Sequence, residues 1–450
     1  MQTITIFKKA LLIIGMMIAF LVNPSEFFGQ TAVSYNSKSN NGTHSIRVKN
    51  DDNDFTIDYE GDIKLSDNDK DIAAISRGGY IEIKKSSFGR RRRLIIENDG
   101  GKLVRKYFIG WSEKDYNPEG KEWLAEILPE ILRTTTIGAE SRVNRFYKKD
   151  GVNGVLSEVR KIKSDYVKTA YLKLLLEKNL NTNELVDVIN TSGKEIDSDH
   201  YLTQILKTNQ KAFLKNDKTI SAYINASKSI DSDHYLTQVV KEVTNDKDIT
   251  DSQLGSLLKI SEQVGSDHYL TEILTGIMDN RELNKQNMEK IMSLSKQINS
   301  DHYKTQVLKK VLKNKNLSTG AYESFMGTLD DVNSDHYTTE IINELINNKL
   351  DDATLTKLLG IVKRNISSDH YATVIYKKLA NKQELTDSQV EEILNTAAAN
   401  INSSYYLAET LIAFSSRVRK SPESVKSAYT KAAKSINSDT YFGKAMKAIY

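Results

Sequence analysis

A tandem repeat of 34 residues constrains the fold of this chain more than any other feature of its sequence. The quartet Ser-Asp-His-Tyr begins at Ser198, Ser232, Ser266, Ser300, Ser334 and Ser368. Degenerate copies begin at Ser164, Ser403 and Ser438. Such a period is typical of stacked units that bury their apolar sides against their neighbours. Residues 164–450 are therefore predicted to contain about nine repeats of 34–35 residues.

Each repeat is predicted to hold two helices. Ile or Val lies two residues before each serine, as at Ile196 and Val264, and would be the last buried residue of a helix. The next residue suits left-handed geometry at a helix end, as in Asp197, Gly265, Asn299 and Asn333. The serine is expected to cap the following helix through its side-chain oxygen. The aspartate beside it is expected to face the positive end of the helix dipole.

The first helix of each repeat has a fixed apolar stripe, as at Tyr201, Ile205 and Leu206. Five residues after the serine the side chain stays small, which predicts close approach of a neighbouring helix. This position holds Thr169, Thr203, Thr237, Thr271, Thr305, Thr339, Thr373, Ala408 and Gly443. The period equals that of tetratricopeptide repeats, but the residue pattern of that family is absent, and a HEAT-like stack is equally compatible. We predict an all-α solenoid of two-helix repeats.

A small β-rich domain is predicted ahead of the solenoid. Phe55, Ile57 and Tyr59 alternate with polar residues, and Asn/Asp/Gly clusters separate further alternating runs as far as Ile109. We assign residues 51–117 to this domain. Residues 118–163 are predicted to be a helical connector or cap, because Trp123, Ile127 and Ile131 recur at helical spacing. Residues 30–50 are rich in Ser, Asn, Thr and Gly, which predicts a flexible linker.

The first residues are typical of an export signal. Lys8 and Lys9 precede an apolar run from Ala10 to Val22, and Asn23-Pro24 interrupts it. This run is short for a membrane span. We therefore predict a cleavable signal peptide over residues 1–29 and a periplasmic or secreted protein. An uncleaved N-terminal anchor is the alternative.

The composition and the absence of known catalytic motifs argue against several classes of function. The formal net charge is +4, from 63 basic and 59 acidic residues, which argues against a nucleic-acid partner. The chain has no cysteine, so disulfides and cysteine-ligated metals are excluded. The sequence lacks metalloprotease, serine-hydrolase, P-loop and dinucleotide motifs. We expect a non-enzymatic protein with no cofactor.

Six of the seven histidines lie in the repeated quartet and are candidate binding residues: His200, His234, His268, His302, His336 and His370. One hypothesis is a metal-binding or proton-responsive array. The other is a structural role, in which each imidazole bonds the aspartate or backbone of an adjacent repeat. Stacked helices lie about 8–10 Å apart, whereas zinc needs ligands that converge at about 2 Å. The spacing favours the structural role and predicts no metal site.

Polar side chains continue the histidine face of the first helix. Four residues beyond five of the six histidines come Gln204, Gln238, Glu272, Gln306 and Glu340. Solenoids commonly bind extended partners along a repeated surface, which makes these rows a candidate site for another protein. A solvated face without a partner is the alternative.

A basic run, Arg90, Arg91, Arg92 and Arg93, lies in the predicted β-domain. Alternation along a strand would gather some of these guanidinium groups on one exposed side. They are candidate binding residues for an anionic envelope component, such as a polysaccharide or a lipid headgroup. The alternative is a charged edge strand that prevents aggregation.

Several segments carry a family resemblance: Gly61-Asp62-Ile63-Lys64-Leu65, Gly79-Tyr80-Ile81-Glu82-Ile83, Trp123 to Pro129, and the Ile-x-Ser-Asp-x-Tyr repeat. Together they resemble bacterial exported proteins of unassigned function. Similar repeats occur attached to membrane metallopeptidases of the β-lactam-sensor type. The zinc motif of those peptidases is absent here, so no proteolytic residue carries over. The resemblance implies an extracytoplasmic module that senses or scaffolds.

Overall fold

The computed structural model describes residues 43–49, 54–87, 89–244, 249–314 and 318–450. The chain divides into two compact units, of which the first ends at Gly138 and the second runs from Ala139 to Tyr450. The first contains an antiparallel sheet and the second is a helical repeat structure, so the predicted fold class is confirmed. The predicted signal peptide, residues 1–29, lies outside the described residues.

The described residues of the first unit form eight strands: β1 (Thr43–Lys49), β2 (Asp54–Glu60), β3 (Ile63–Leu65), β4 (Ile72–Ile75), β5 (Tyr80–Ser87), β6 (Arg90–Asp99), β7 (Lys102–Ile109) and β8 (Ser112–Lys114). Six of them form one sheet in the order β1-β2-β5-β6-β7-β8, and every neighbouring pair is antiparallel. Strands β3 and β4 form a separate two-stranded sheet in the segment of the chain that connects β2 to β5.

One face of the large sheet is buried by α1 (Lys121–Thr134). Residues such as Ile57, Ile83 and Ile96 on the sheet share a core with Trp123 and Ile127 on the helix. Period-two alternation on the strands and helical spacing on α1 present apolar side chains to the same core.

Two predicted boundaries differ from the structure. The predicted flexible linker, residues 30–50, overlaps β1, which pairs with β2 along its whole length. The predicted connector, residues 118–163, is divided, because α1 packs in the first core whereas α2 (Ala139–Val159) belongs to the second unit. Helical spacing reveals an apolar face but does not reveal which core the face joins.

The second unit contains nine first helices, each beginning at a repeat motif: α3 (Asp165–Leu176), α5 (Asp199–Thr208), α8 (Asp233–Thr244), α10 (Asp267–Asn280), α12 (Asp301–Val311), α14 (Asp335–Leu345), α16 (Asp369–Lys382), α18 (Ser404–Val418) and α20 (Asp439–Lys447). Eight second helices alternate with them: α4 (Thr182–Glu195), α7 (Asp217–Ser227), α9 (Asp251–Ile260), α11 (Lys285–Ser295), α13 (Thr319–Asp330), α15 (Asp352–Asn365), α17 (Asp387–Asn400) and α19 (Glu423–Ala433). A single turn, α6 (Gln210–Phe213), precedes α7.

Successive first helices pack against one another, and so do successive second helices, which gives the two layers of an α-solenoid. The predicted small position is buried in eight of its nine copies, with Thr271 only 3% exposed, whereas Gly443 in the last copy is exposed. The hydroxyls of Thr169, Thr203, Thr237, Thr271 and Thr339 are buried without a hydrogen-bond partner in the described part of the chain. In these five copies the helix contact uses small volume rather than the hydroxyl, whereas the hydroxyls of Thr305 and Thr373 donate to main-chain carbonyls.

The joint between repeats differs from the prediction in one respect. Among the described residues, the only non-glycine residue with positive φ is Asp69, and Gly265 is not among the glycines with positive φ. The predicted left-handed positions, such as Asp197 and Asn299, are therefore not left-handed. Instead the chain leaves the second helix in extended geometry, as at Ile196, Ile366 and Ile401.

Candidate functional site

The aspartate of each motif reaches forward to the joint of the following repeat. Its carboxylate accepts a hydrogen bond from the main-chain N–H of the next serine at 2.7–2.9 Å, and this bond joins seven consecutive pairs of repeats. In most copies it also accepts from the preceding residue, as Asp267 does from Asn299. We call this contact the aspartate latch. Hydrogen bonds to a charged acceptor are among the stronger ones in proteins.

The prediction that the serine side chains cap the following helices is wrong for most copies. Ser198, Ser266, Ser300 and Ser334 occupy the N-cap position, but their side chains make no capping hydrogen bond. Among the copies whose cap is described, Ser164 alone accepts from the third helical residue through its hydroxyl. The serine contributes its backbone N–H to the previous repeat, a role that N-cap statistics do not anticipate.

The histidines and tyrosines of the motifs form one alternating row across the repeats. Each imidazole lies 5.1–5.2 Å from the tyrosine ring beside it and 5.6–6.0 Å from the tyrosine of the next repeat. Tyr166, Tyr405 and Tyr441 extend this row at its two ends. We call the row the aromatic ladder; it comprises His200, His234, His268, His302, His336 and His370 with Tyr166, Tyr201, Tyr235, Tyr269, Tyr303, Tyr337, Tyr371, Tyr405, Tyr406 and Tyr441. Its edge-to-face geometry is a favourable one for aromatic pairs.

Hydrogen bonds fix the orientation of several imidazoles. The His200 Nε2 atom lies 2.7 Å from the Gln204 amide nitrogen, and its Nδ1 atom lies 3.3 Å from the Tyr235 hydroxyl. Because an amide nitrogen only donates, Nε2 accepts and the Nδ1–H donates to the tyrosine oxygen. The same pair of contacts recurs at His234 and at His302.

A lysine of the preceding repeat completes this polar row. The Lys173 ammonium donates to Gln204 at 2.7 Å, and equivalent lysines contact Gln238, Glu272, Glu340 and Glu409. Glu340 also lies 3.2 Å from the His336 Nε2 atom. This lysine contact therefore links repeats at five junctions, whereas Thr275 and Asn343 replace the lysine at two others.

The histidines contact other partners than the aspartate or backbone of an adjacent repeat, which the sequence predicted. The imidazoles contact the tyrosine of the next repeat and the glutamine of their own, whereas the aspartate bonds the neighbouring backbone. The tyrosines were missed as histidine partners. The substitution of Tyr405 for histidine, in a row otherwise alternating His and Tyr, is the sequence signal that would have found them.

The candidate ligands for a metal do not converge. Within the ranges that the structure describes, no group of three or more His, Asp or Glu side chains is arranged to hold a metal ion. The ladder spaces its imidazoles one repeat apart and puts a tyrosine ring between each pair.

The four arginines lie on β6 in the first unit, whereas the ladder lies in the second unit. Arg93 pairs with Glu82 at 3.0 Å and stacks over Phe108, and Arg92 lies 3.8 Å from Glu119. Arg90 and Arg91 are exposed. Two of the four guanidinium groups therefore lie close to carboxylates, and the other two are exposed.

Comparisons with known proteins leave the family of this chain open. No family model matches it, and no curated protein matches it. A solved structure titled "Computational Design of Self-Assembling Cyclic Protein Homooligomers" is 11% identical and covers 72% of this chain and 96% of its own. Its TM-score is 0.11, too low to support an argument from likeness.

In the described part of the chain, no helix has the length and apolarity needed to cross a membrane.

Proposed function

We propose that this chain is a non-enzymatic, extracytoplasmic scaffold whose aromatic ladder binds an extended segment of another protein. The observation that carries this proposal is the row of exposed imidazoles, which recurs in six successive repeats. An asymmetric catalytic centre would not be expected to recur in this way.

The fixed orientation of the imidazoles supports binding. Gln204 and Tyr235 hold His200, so a partner would not have to order that side chain, and this lowers the entropic cost of association. The spacing supports an extended partner. Stacked helices lie about 8–10 Å apart and an extended chain advances about 3.3 Å per residue. One repeat therefore corresponds to about three residues of a bound strand.

The test compares two sets of alanine substitutions in the full chain. The ladder set replaces His234, His268 and His302; the control set replaces the exposed second-helix residues Lys259, Ser293 and Lys296. Both are used as bait against extracytoplasmic proteins of the native host, with quantitative mass spectrometry. We expect a protein that wild type and the control retain and the ladder set loses. Equal retention by all three baits would refute the proposal.

A second candidate function is an envelope-associated sensory module whose β-rich unit binds an anionic ligand. It is favoured by Arg90 and Arg91, which are exposed and have no carboxylate partner among the described residues. Binding of a soluble sulfated polysaccharide that is lost in Arg90→Gln/Arg91→Gln would support this candidate.

The proposed compartment depends on the N-terminal sequence. We expect the mature chain in its native host to begin near Gln30, because the short apolar run is followed by helix-breaking residues. N-terminal analysis of the purified protein measures this directly. A retained Met1 in the membrane fraction would instead indicate an uncleaved anchor.

A further inference from the structure

The turn between β7 and β8 projects a tryptophan into solvent. Gly110 and Trp111 form this two-residue turn, and Gly110 has φ +61°, as a type II′ turn requires at its first position. The Trp111 side chain is 92% exposed. Large apolar side chains are usually buried at least in part, so an indole held this far out calls for a function.

An arginine lies beside this indole. The Arg91 guanidinium lies 5.9 Å from the Trp111 ring centre, and the Gly110 N–H donates to the Arg91 carbonyl, which holds the turn against β6. Arg90 precedes Arg91 on the same strand and is exposed as well. We call Arg90, Arg91 and Trp111 the sheet tip.

Several basic positions of the unit have a carboxylate close by. Lys84 pairs with Asp58 and Glu82, and Lys106 pairs with Glu97. Arg105 pairs with Asp71. Arg90 and Arg91 have no such carboxylate among the described residues. The exposed indole therefore lies beside a guanidinium group, that of Arg91, which has no carboxylate partner among the described residues.

We propose that the sheet tip docks on the surface of an anionic lipid bilayer. Tryptophan favours the boundary between headgroups and acyl chains, where its ring is apolar and its N–H remains hydrated. Arginine binds phosphate oxygens, and basic residues near an anionic leaflet are attracted to it. A soluble polyanion would use the guanidinium groups but would leave the projecting indole without a role. The inference rests on the second candidate function and specifies its ligand.

The intrinsic fluorescence of Trp111 provides a probe for this inference. It has two tryptophans, of which Trp123 is 4% exposed in the core of the first unit and Trp111 is 92% exposed. Movement of Trp111 into a bilayer should shift its emission to shorter wavelength and protect it from iodide, whereas Trp123 should not respond. Because the signal is local to the tip, association of the apolar N-terminal run with a vesicle would not imitate it.

The experiment titrates the full chain with phosphatidylcholine vesicles, with and without phosphatidylglycerol. We expect the emission shift and iodide protection only with phosphatidylglycerol. Trp111→Phe should abolish the response. Arg90→Gln/Arg91→Gln should weaken it roughly 30-fold, the equivalent of about 1 kcal/mol for each arginine. The charge-matched control Lys64→Gln/Lys102→Gln removes two exposed cations elsewhere on the unit and should behave as wild type.

Each remaining outcome overturns the inference in a distinguishable way. An equal response to neutral vesicles would mean that headgroup charge is irrelevant. Binding of heparin that requires Arg90 and Arg91, without any vesicle response, would leave the second candidate function standing and exclude a bilayer as its ligand. Absence of both responses would reject the inference and that candidate together.

Discussion

The first unit buries one cluster between a sheet face and α1, whereas the second unit buries its apolar residues in a series of similar interfaces between successive repeats. In the first unit, strands distant in sequence, such as β2 and β5, are neighbours and share the same core. In the second, a first helix contacts the first helices immediately before and after it. Damage in the first unit should therefore spread through the sheet, and damage in the second should stay near its origin.

The second unit also repeats its polar contacts, so one copy can serve as the control for another. The aspartate latch joins seven pairs of repeats with almost the same geometry, whereas Asp439 accepts no such hydrogen bond among the described residues. Such internal comparisons separate the effect of a contact from the effect of its residue type.

The largest difference is expected from a matched pair of core truncations. Ile83→Ala in the sheet and Ile273→Ala in α10 both remove a fully buried side chain, and each should lower the free energy of unfolding by about 2–5 kcal/mol. Hydrogen exchange followed by mass spectrometry should show lost protection across all the long strands for Ile83→Ala. For Ile273→Ala, it should show loss in α8, α10 and α12. Uniform loss along the whole solenoid would contradict the local behaviour inferred for it.

The aspartate latch provides the next largest effect. Asp267→Ala removes the acceptor for the Asn299 and Ser300 N–H groups and should cost about 1.5–3 kcal/mol. Asp439→Ala removes the same residue type from the same helix position without a latch, so it should cost only the helix-dipole contribution of about 0.3–1 kcal/mol. Urea unfolding of both variants measures the difference. Equal losses would assign the effect to the helix terminus and not to the joint.

Packing at the small position gives a smaller and more selective effect. Thr271→Leu should overpack the contact between first helices and cost about 1–3 kcal/mol. Thr271→Val keeps the volume and removes a buried hydroxyl that lacks a partner, so it should be at least as stable as wild type. Thr271→Ala should be mild. Circular dichroism during denaturation tests all three, and a leucine variant indistinguishable from wild type would mean that this contact tolerates added volume.

The smallest effect is expected from metal ions. Zinc or nickel should leave the melting temperature nearly unchanged, because the tyrosine rings separate the imidazoles and several ring nitrogens are already hydrogen-bonded. Binding at a hundredfold excess over the dissociation constant would otherwise add about 2.7 kcal/mol. A metal-dependent rise that disappears in His268→Ala/His302→Ala would show that the ladder rearranges to chelate.

The sequence was sufficient to predict the architecture because repetition makes each position visible nine times. Residues that are small or apolar in every copy, such as Thr271 and Ile298, lie in helix contacts as predicted. Strand alternation likewise located β2, β5 and β7. Strand β1 was missed because its flanks are rich in Ser, Asn and Gly, and pairing with β2, rather than its own composition, defines it.

The contacts between repeats could not be predicted in the same way. Asp267 is adjacent to a helix start in sequence, and only the stacking of repeats brings its carboxylate to the Ser300 backbone. His200 likewise meets Tyr235, which is 35 residues away. The sheet tip was missed because nothing in the sequence distinguishes Trp111 from a buried tryptophan such as Trp123 until the turn at Gly110 is placed.

The aspartate latch also makes the number of repeats adjustable. Each 34-residue segment carries both a forward-reaching carboxylate and the serine N–H that receives the carboxylate of the segment before it. Tandem copying or excision of a whole segment would therefore regenerate a working joint at the new junction. A change in the number of segments would then alter the length of the solenoid without any change to the interface between repeats.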